Sequence, residues 1–485
     1  MQDEGLSERK SRLRDDLIHE LVSTPGLRPT VSRKIVDRFE LKRKRQSKGY
    51  SPVFLATVQG TVEPEGRIDR LYNCLEQMIC YPAPAELWES EIFPARMDPD
   101  DTSWMDTAMQ QGHLLRVGAP NRKILFCFEP DLDLVRQDTR NSALQNACFN
   151  NESSNCFSEK KGVRVNTDEV IDTLFPDKKG KYSFSSLLEH SGENPSSLME
   201  KLWNGVWQGW VGNDTFITLR KGIENRFQIP DGLVKNAKTY SVRPRPHGRR
   251  PGGRSGFSRW KAALPFAGNW HIIDFPESDD DLIEGEEKKK DRVRLLLERY
   301  GILFKELLHK ELPSFQWRNI FRSLRMMELS GEILSGYFFA GIPGPQFISH
   351  RGFHILRHHL KESNVFWISA MDPSSLCGMP LDSIKGMLLR RLAGTHLVYR
   401  GHKVVLISQR NGKKLTFNVA ADDPQIQEYL IVFRHLLTRR FRPLRQITVE
   451  TINEEDASRS PFVDVLRVSF DVLVDYRHLV LYRKA

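Results

Sequence analysis

"SFQWRNIFRSLRMMELSGEILSGYFFAGIPGPQF" occupies residues 314–347 and decides the fold, because a helical pattern is followed there by a strand pattern. The apolar periodicity predicts a helix from Phe315 to Ser330, with Ser314 as its N-cap and Gly331 as its end. The strand-like run Glu332–Ala340 then breaks on glycines and prolines. A helix followed by a short β-wing is typical of modules that read nucleic acid, and a structural hairpin is the alternative.

The predicted helix has two different faces. Its apolar stripe contains Trp317, Ile320, Phe321, Leu324 and Met327. Arg318, Arg322 and Arg325 are spaced i, i+4 and i+7, so they share a second stripe. A helix that buries one face and presents a row of guanidinium groups suits a phosphate-lined groove. We therefore predict that these three arginines bind nucleic acid, the alternative being a solvated face on an ordinary core helix.

The whole chain has the composition of a globular protein with a basic balance. It has 485 residues, 39% hydrophobic and 28% charged, with a net charge of +10 and an isoelectric point of about 9.2. This length predicts roughly two to four domains, and the charge favours polyanionic partners. There is no apolar run of about 18 residues and no N-terminal signal core, so we expect a cytoplasmic protein without a membrane partner.

Composition and periodicity predict an α+β fold of tandem winged-helix-like units followed by a strand-rich end that forms a small β-barrel or a sandwich. The predicted segments are a basic helical N-terminus with a first winged-helix-like unit (1–130), a polar loop (131–165), a second winged-helix-like unit (166–235), a basic Arg/Pro/Gly linker (236–262), a linker with an acidic and then lysine-rich run (263–290), a third winged helix (291–362) and a barrel-like domain (363–485). Within the last segment, "RNGK" (410–413) predicts a hairpin, since Asn-Gly suits a type I′ turn.

The linker at 236–262 supplies a second set of candidate ligands. Arg249, Arg250 and Arg254 lie among prolines and glycines that prevent regular structure. We predict a flexible arm that contacts phosphate backbone, with a solubilising spacer as the alternative.

The second unit contrasts with the third. Its last predicted helix, Pro195–Gln208, has Asn194 as N-cap and carries only Lys201 as a cation. Tryptophans crowd this segment, which predicts packing between domains, and "WVGNDTFITL" after it predicts a wing.

Motifs for nucleotide or metal chemistry are missing from the sequence. No phosphate-binding loop is present, so neither ATP nor Mg²⁺ is expected on this chain. His350, His354 and His358 are spaced for one helix face, but no carboxylate or thiol lies nearby, which favours a basic surface helix. The six cysteines form no Cys-x-x-Cys pair and predict reduced thiols.

Several ordered blocks resemble the C-terminal, DEAD/H-associated region of Lhr-type (large helicase-related) helicases. Besides the opening stretch, they are "WESEIFPAR" (88–96), "GWVGNDTF" (209–216) and "ISAMDPSSLCGM" (368–379). The resemblance implies a module of winged helices and a β-barrel similar to AlkZ-type DNA glycosylases. It also implies parent proteins that are 3′-to-5′ ATP-dependent helicases linked to DNA repair. It implies DNA, single-stranded or tailed, as partner, with RNA as an alternative, and a RecA-like motor that binds ATP and Mg²⁺ elsewhere.

One departure from the family pattern concerns a further candidate position. Where the family usually has Trp-Gln, this chain has Val58 and Gln59. An indole stacks on bases of any sequence and an isopropyl group does not, so we expect weaker tracking along a single strand. Three functions remain open: a nucleic-acid-binding accessory module, a DNA glycosylase, and a subunit that docks on a separate motor chain.

Overall fold

The structure is a computed structural model that describes part of the chain. The described residues are 67–97, 105–111, 114–119, 121–135, 173–228, 267–275, 282–339, 342–358, 364–380, 389–401 and 403–484. Within these ranges, none of the helices combines the length and the apolar character that crossing a lipid bilayer requires.

Three small sheets in the described part share one strand order, in which the third strand lies between the first and the second. All their pairings are antiparallel. The sheets are β1 (Ala83–Pro84), β2 (Leu114–Ala119) and β3 (Lys123–Phe128); β4 (Tyr182–Ser183), β5 (Val211–Asn213) and β6 (Asn269–Ile272); and β7 (Ile302–Leu303), β8 (Ile333–Gly336) and β9 (Gln346–Ser349). In each, helices separate the first strand from the other two, which is the arrangement of a winged helix.

The helices of the first two units surround their sheets. They are α1 (Arg67–Met78), α2 (Ala85–Leu87, continued by a π-helical turn Trp88–Ile92), α3 (Met105–Gln111), α4 (Leu132–Val135), α5 (Phe184–Ser191), α6 (Pro195–Gln208) and α7 (Phe216–Glu224). Asn194 caps α6 as the sequence predicts, since its side chain accepts a hydrogen bond from the Ser196 N–H at 3.3 Å.

The prediction of a wing after α6 is wrong for the second half of the segment "WVGNDTFITL". Only β5 is a strand, and the residues that follow it form α7. The strand that pairs with β5 is β6, which lies inside the segment 263–290 that the sequence predicts as linker. Trp270 of β6 is fully buried, and this burial fixes the short strand in the sheet.

The third unit begins with α8 (Leu282–Tyr300), which also starts inside the predicted linker. Its acidic and lysine-rich run is helical because the charges pair at i and i+3, as in Lys289–Glu286 at 3.0 Å and Lys290–Glu287 at 2.6 Å. Two 3₁₀ turns, Lys305–Lys310 and Pro313–Phe315, then lead to α9 (Trp317–Leu329).

Helix α9 starts later than the sequence predicts, and Ser314 is not its cap. Gln316 precedes the helix with an extended backbone and no capping side-chain hydrogen bond. The Ser314 hydroxyl instead donates to the Val135 carbonyl at 3.5 Å, because Pro313 directs the chain into a 3₁₀ turn first. The wing consists of β8, β9 and the residues between them, of which 337–339 and 342–345 are described. After the wing, α10 (His350–His358) completes the unit.

The C-terminal domain contains two sheets packed with helices. Six strands are ordered β10-β11-β12-β13-β15-β16, and three are ordered β14-β18-β17. Their bounds are β10 (Val365–Ser369), β11 (His396–Arg400), β12 (Lys403–Gln409), β13 (Lys414–Phe417), β14 (Ile447–Val449), β15 (Thr451–Ile452), β16 (Glu455–Asp456), β17 (Phe470–Val474) and β18 (Leu479–Arg483). The helices are α11 (Ile426–Tyr429), α12 (Ile431–Thr438) and α13 (Val463–Ser469).

The predicted β-barrel is wrong, because neither sheet closes among the described residues. Closure requires the two end strands to pair, whereas β10 and β16 remain at opposite ends of the larger sheet. Helix α12 supplies the cover instead, since Phe433 and Leu436 are fully buried in one cluster with Leu406 and Leu415.

The hairpin predicted at "RNGK" is confirmed, with its turn shifted by one residue. Positive φ angles occur at Arg410 (53°) and Asn411 (57°), the two central positions of a type I′ turn. The Gly412 N–H donates to the Gln409 carbonyl at 3.2 Å and closes this turn. Strands β12 and β13 pair on either side of it.

Candidate nucleic-acid interface

Helix α9 is anchored by its apolar face. Ile320, Leu324 and Met327 are buried as predicted, while Trp317 is half-buried and Phe321 is 37% exposed. The Trp317 ring lies 5.9 Å from the ring of Phe347, a fully buried residue of β9. The wing therefore holds the helix in place through aromatic contacts.

The arginine row lies on the opposite, exposed face of α9. Arg318, Arg322 and Arg325 are all exposed. Arg325 Nη1 lies 2.5 Å from Glu328 Oε2. In the described part of the chain, neither Arg318 nor Arg322 has an ion-pair partner. Since an exposed ion pair contributes little free energy, Arg325 can exchange Glu328 for a phosphate.

The wing is held by one buried amide. Gln346 is fully buried at the start of β9, and its Oε1 accepts hydrogen bonds from the backbone N–H groups of Phe338 (3.0 Å) and Phe339 (2.9 Å). Its Nε2 donates to the Phe339 carbonyl at 2.9 Å. These three bonds satisfy backbone groups beyond the end of β8 and fix the course of the wing.

One hydrogen bond and one ion pair join the wing to the helices. The Ser335 hydroxyl of β8 donates to the same Glu328 carboxylate that pairs with Arg325. Arg294 of α8 reaches Glu332, which precedes β8, with Nε 2.6 Å from Oε1. The arginine row and the wing are thus parts of one connected surface.

The wing also exposes aromatic side chains that the sequence-based interpretation did not include. Tyr337 is 85% exposed and Phe339 is 40% exposed. Phe338 between them packs against Phe353 of α10, with ring centroids 5.9 Å apart. The signal in the sequence is the triplet Tyr-Phe-Phe directly before a Gly/Pro-rich turn.

Five of the predicted ligands cannot be placed. Val58, Gln59, Arg249, Arg250 and Arg254 lie outside the described residues. Their roles remain predictions.

The charged residues of "WESEIFPAR" bind other elements of the protein. Arg220 of α7 reaches Glu89 at 2.6 Å, and His396 and Arg439 reach Glu91 at 3.0 and 2.9 Å. Each contact joins the first unit to another part of the fold. The block is therefore structural, and we assign it no contact with a ligand.

The block "ISAMDPSSLCGM" meets the same part of the first unit. Asp372 is fully buried and accepts two hydrogen bonds from Arg96, at 2.6 and 2.7 Å. Burial would raise the pKa of the Asp372 carboxyl, but the Arg96 guanidinium outweighs it and holds that pKa below its usual range. This bidentate pair fastens the first unit to the C-terminal domain.

A lysine lies beside this junction. Lys310 donates to the carbonyls of Pro373 and Ser375, and its Nζ lies 5.1 Å from the centroid of the Tyr300 ring. Burial, with a smaller contribution from Arg391, lowers the pKa of Lys310 to about 7. This amine therefore titrates near neutral pH.

The described cysteines are free and buried. Burial raises the pKa of the Cys74 thiol to about 12 and raises the pKa values of Cys80, Cys127 and Cys377. A thiol with a raised pKa stays mostly protonated near neutral pH and is therefore unreactive.

The three aligned histidines, His350, His354 and His358, lie on α10. The Nε2 atom of His350 lies 2.9 Å from the carbonyl oxygen of Gly331, which follows α9. Within the described ranges, no group of three or more His, Cys, Asp or Glu side chains is arranged to hold a metal ion.

Two regions of the chain match a described family. Both matching models are described as "Large helicase-related protein, winged-helix domain". The model of the third such domain matches residues 48–128, and the model of the fourth matches residues 283–367. The matched range 283–367 contains α9, the arginine row and the wing.

Two curated proteins are similar over most of the chain. "Lhr helicase/uracil glycosylase" of Escherichia coli (strain K12) is 24% identical over 440 residues, which are 86% of this chain and 26% of that protein. "Lhr helicase/ probable uracil glycosylase" of Mycolicibacterium smegmatis (strain ATCC 700084 / mc(2)155) is 23% identical over 375 residues, which are 73% of this chain and 23% of that protein. The chain thus spans about a quarter of the length of these relatives.

A solved structure gives a weaker likeness. The DNA glycosylase AlkZ of Streptomyces sahachiroi is 10% identical, with a TM-score of 0.41, over 78% of this chain and 93% of that chain. This likeness does not establish a common fold, so the AlkZ-like part of the fold stays a prediction. The two winged-helix matches and the two curated relatives agree with each other: the chain is similar to a C-terminal region of large helicase-related proteins and matches their third and fourth winged-helix domains.

Proposed function

We propose that this chain is a nucleic-acid-binding accessory module for DNA repair or processing, and that α9 faces the DNA. The exposed arginine row on α9 carries the proposal. A RecA-like motor with its ATP and Mg²⁺ belongs to another region of a longer protein or to a separate chain. Single-stranded or tailed DNA is the proposed ligand, with RNA as the alternative.

The dimensions of the row suit this role. From Arg318 to Arg325 the helix rises by about 10 Å, at 1.5 Å per residue. The major groove of B-DNA is about 12 Å wide, so the row can face both of its phosphate borders. Because the opposite face of α9 is packed on the wing, the helix can approach DNA only with its arginine side.

Fluorescence anisotropy across a salt series tests the proposal. The variant Arg318→Ala/Arg322→Ala should lose about tenfold or more in affinity and lower the slope of log K against log salt by about 2, because two phosphate contacts are removed. The control is Arg467→Ala/Arg477→Ala, which removes two positive charges from side chains that are 54% and 63% exposed in the C-terminal domain.

The two variants separate local contact from net charge. Equal losses for both would show that overall charge alone attracts the DNA. If the unaltered protein does not bind DNA even at low salt, the proposed function is wrong.

The arm is a further part of the proposal. Replacement of Arg249, Arg250 and Arg254 by alanine should lower the salt slope by up to about 3 if each one contacts a phosphate. An unchanged slope would identify the segment as a spacer.

Base excision is a second candidate function, because the two curated relatives are named as a uracil glycosylase and a probable one. The experiment is incubation of the chain with uracil-containing duplex and single-stranded DNA, followed by alkaline cleavage of abasic sites. Strand breaks at uracil positions would support this function. Intact DNA, with binding retained, would favour the accessory module.

A further inference from the structure

Apart from Leu282 and Ile283 at the start of α8, the large exposed apolar side chains among the described residues of the third unit lie on α9 and the wing. Phe321 and Met326 lie on α9, and Leu329 ends it at 83% exposed. Tyr337 and Phe339 lie on the wing. Large exposed side chains of this kind, when they occur together, mark a contact surface.

Tyr337 is exposed on a wing that is held in place. The residue directly after it donates its N–H to the buried Gln346 amide and places its ring against Phe353. The residues before it belong to β8, which pairs with β9 up to Gly336–Gln346. Tyr337 therefore needs little ordering of the backbone when it binds a ligand, which reduces the entropic cost of binding.

The exposed tyrosine lies close to the arginine row. Ser335, two residues before Tyr337, donates to Glu328, and Glu328 pairs with Arg325. Two residues of extended chain span about 7 Å. The Arg325 cation and the exposed Tyr337 ring therefore belong to one connected surface.

We propose that Tyr337 stacks on an unpaired base where duplex DNA meets a single strand, while the arginines of α9 hold the adjoining duplex. This inference rests on the proposed function and assigns its ligand as a tailed duplex. Surfaces that bind single strands combine cations with aromatic platforms, since every base has a face that can stack. The three exposed arginines of α9 give this surface a positive charge, which favours a polyanionic ligand over a protein partner.

The experiment compares three DNAs of one duplex sequence: blunt, with a 3′ tail and with a 5′ tail. The unaltered protein should bind one tailed DNA more tightly than the blunt one. Tyr337→Ala should weaken binding of that tailed DNA by about tenfold, within the range of about 5- to 150-fold expected for loss of one stacked base, and change blunt binding by less than about twofold. Tyr337→Phe keeps the ring and should keep the preference.

A fluorescent base gives an independent readout. With 2-aminopurine as the first unpaired nucleotide, the unaltered protein and Tyr337→Phe should change its fluorescence in the same way, and Tyr337→Ala should not. Because Tyr337 is 85% exposed, the alanine variant should fold normally.

The possible outcomes separate this inference from the proposed function. An equal loss on blunt and tailed DNA, or no loss on either, would overturn the stacking role while DNA binding through α9 stands. If Tyr337→Ala causes no loss on either DNA, the exposed wing would be assigned to contact with a protein instead. Failure of the unaltered protein to bind any of the three DNAs would overturn both proposals.

Discussion

Helices α6 and α9 occupy equivalent positions in two units with the same strand order, but they expose different chemistry. Helix α6 carries one cation toward its surface, Lys201, which pairs with Glu193. Helix α9 carries three exposed arginines, of which Arg318 and Arg322 have no ion-pair partner among the described residues. The shared topology therefore does not decide which helix meets a ligand.

The difference arises from what each helix packs against. A Cβ on Gly118 of β2 would lie 1.6 Å from the Val206 carbonyl oxygen, so α6 touches the sheet of the first unit with its backbone. Trp203 and Trp207 stack on α6 at 5.7 Å, and the buried Arg116 of β2 lies over the Trp203 ring. The sequence-based prediction of packing at this helix is confirmed by these contacts.

The same contrast applies to the arginines. In the first unit, Arg96 and Arg116 are largely buried and serve the fold, whereas the arginines of α9 are exposed. We therefore expect substitutions in the two groups to affect different properties. Buried arginines should control stability, and exposed arginines should control binding.

The largest effect is expected from Arg96→Met. It leaves the fully buried Asp372 carboxylate without its partner, which costs about 3–5 kcal/mol of unfolding free energy. Arg318→Ala, on the exposed face of α9, should change stability by no more than about 0.5 kcal/mol. Urea denaturation measures both.

A double variant checks the cause of the loss. Arg96→Met/Asp372→Leu removes both charges and should recover most of the stability. If the double variant is no more stable than Arg96→Met, the loss comes from packing and the distinction between the two groups of arginines weakens.

The next effect concerns the contact between α6 and β2. Gly118→Ala places a methyl group against the Val206 backbone and should cost about 2–3 kcal/mol, because backbone atoms cannot move aside as a flexible side chain can. Thermal unfolding measures the change. The control is Gly285→Ala on α8, where a Cβ would meet nothing within 4 Å, and which should stabilise by up to about 1 kcal/mol.

The Gly118 variant also has a binding prediction. The salt slope for DNA should be unchanged, since α9 belongs to another unit. A lower slope would mean that the packing of α6 positions the arginine row, and the two helices would not be independent.

The sequence was informative wherever the signal is local. The apolar period of α9, the positions of its arginines and the hairpin at residues 410–413 are all set by neighbours a few positions away. The pair Arg96–Asp372 joins residues 276 positions apart, so no local pattern reveals it. The open sheet was missed for the same reason: β13 pairs with β15 in parallel and α12 covers the face, and strand propensity does not encode either arrangement.

A smaller effect on stability depends on pH and concerns Lys310, which contacts the carbonyls of Pro373 and Ser375. Burial lowers the pKa of Lys310 to about 7, so the unfolded chain binds more protons than the folded one above that pH. The free energy of unfolding should therefore rise between pH 7 and 9. We expect a rise of about 1 kcal/mol, which is less than the full pKa shift would give, because the side chain is partly exposed and solvent screens its charge.

The comparison with Lys310→Met isolates this residue. The variant should show a flatter dependence over the same range in urea denaturation at each pH. The same rise in both proteins would assign the titration to other groups.

The smallest effect tests the acidic residue within the arginine row. Glu328→Gln keeps a hydrogen-bond acceptor for Ser335 but removes the charge that holds Arg325, so DNA affinity should rise by about two- to threefold, equivalent to about 0.5 kcal/mol. The matched control is Glu193→Gln, which frees Lys201 beside α6 by the same loss of one negative charge. Anisotropy at low salt should show the increase only for the first variant, because only α9 is proposed to face DNA. An equal increase for both would mean that α6 and α9 differ in packing but not in binding.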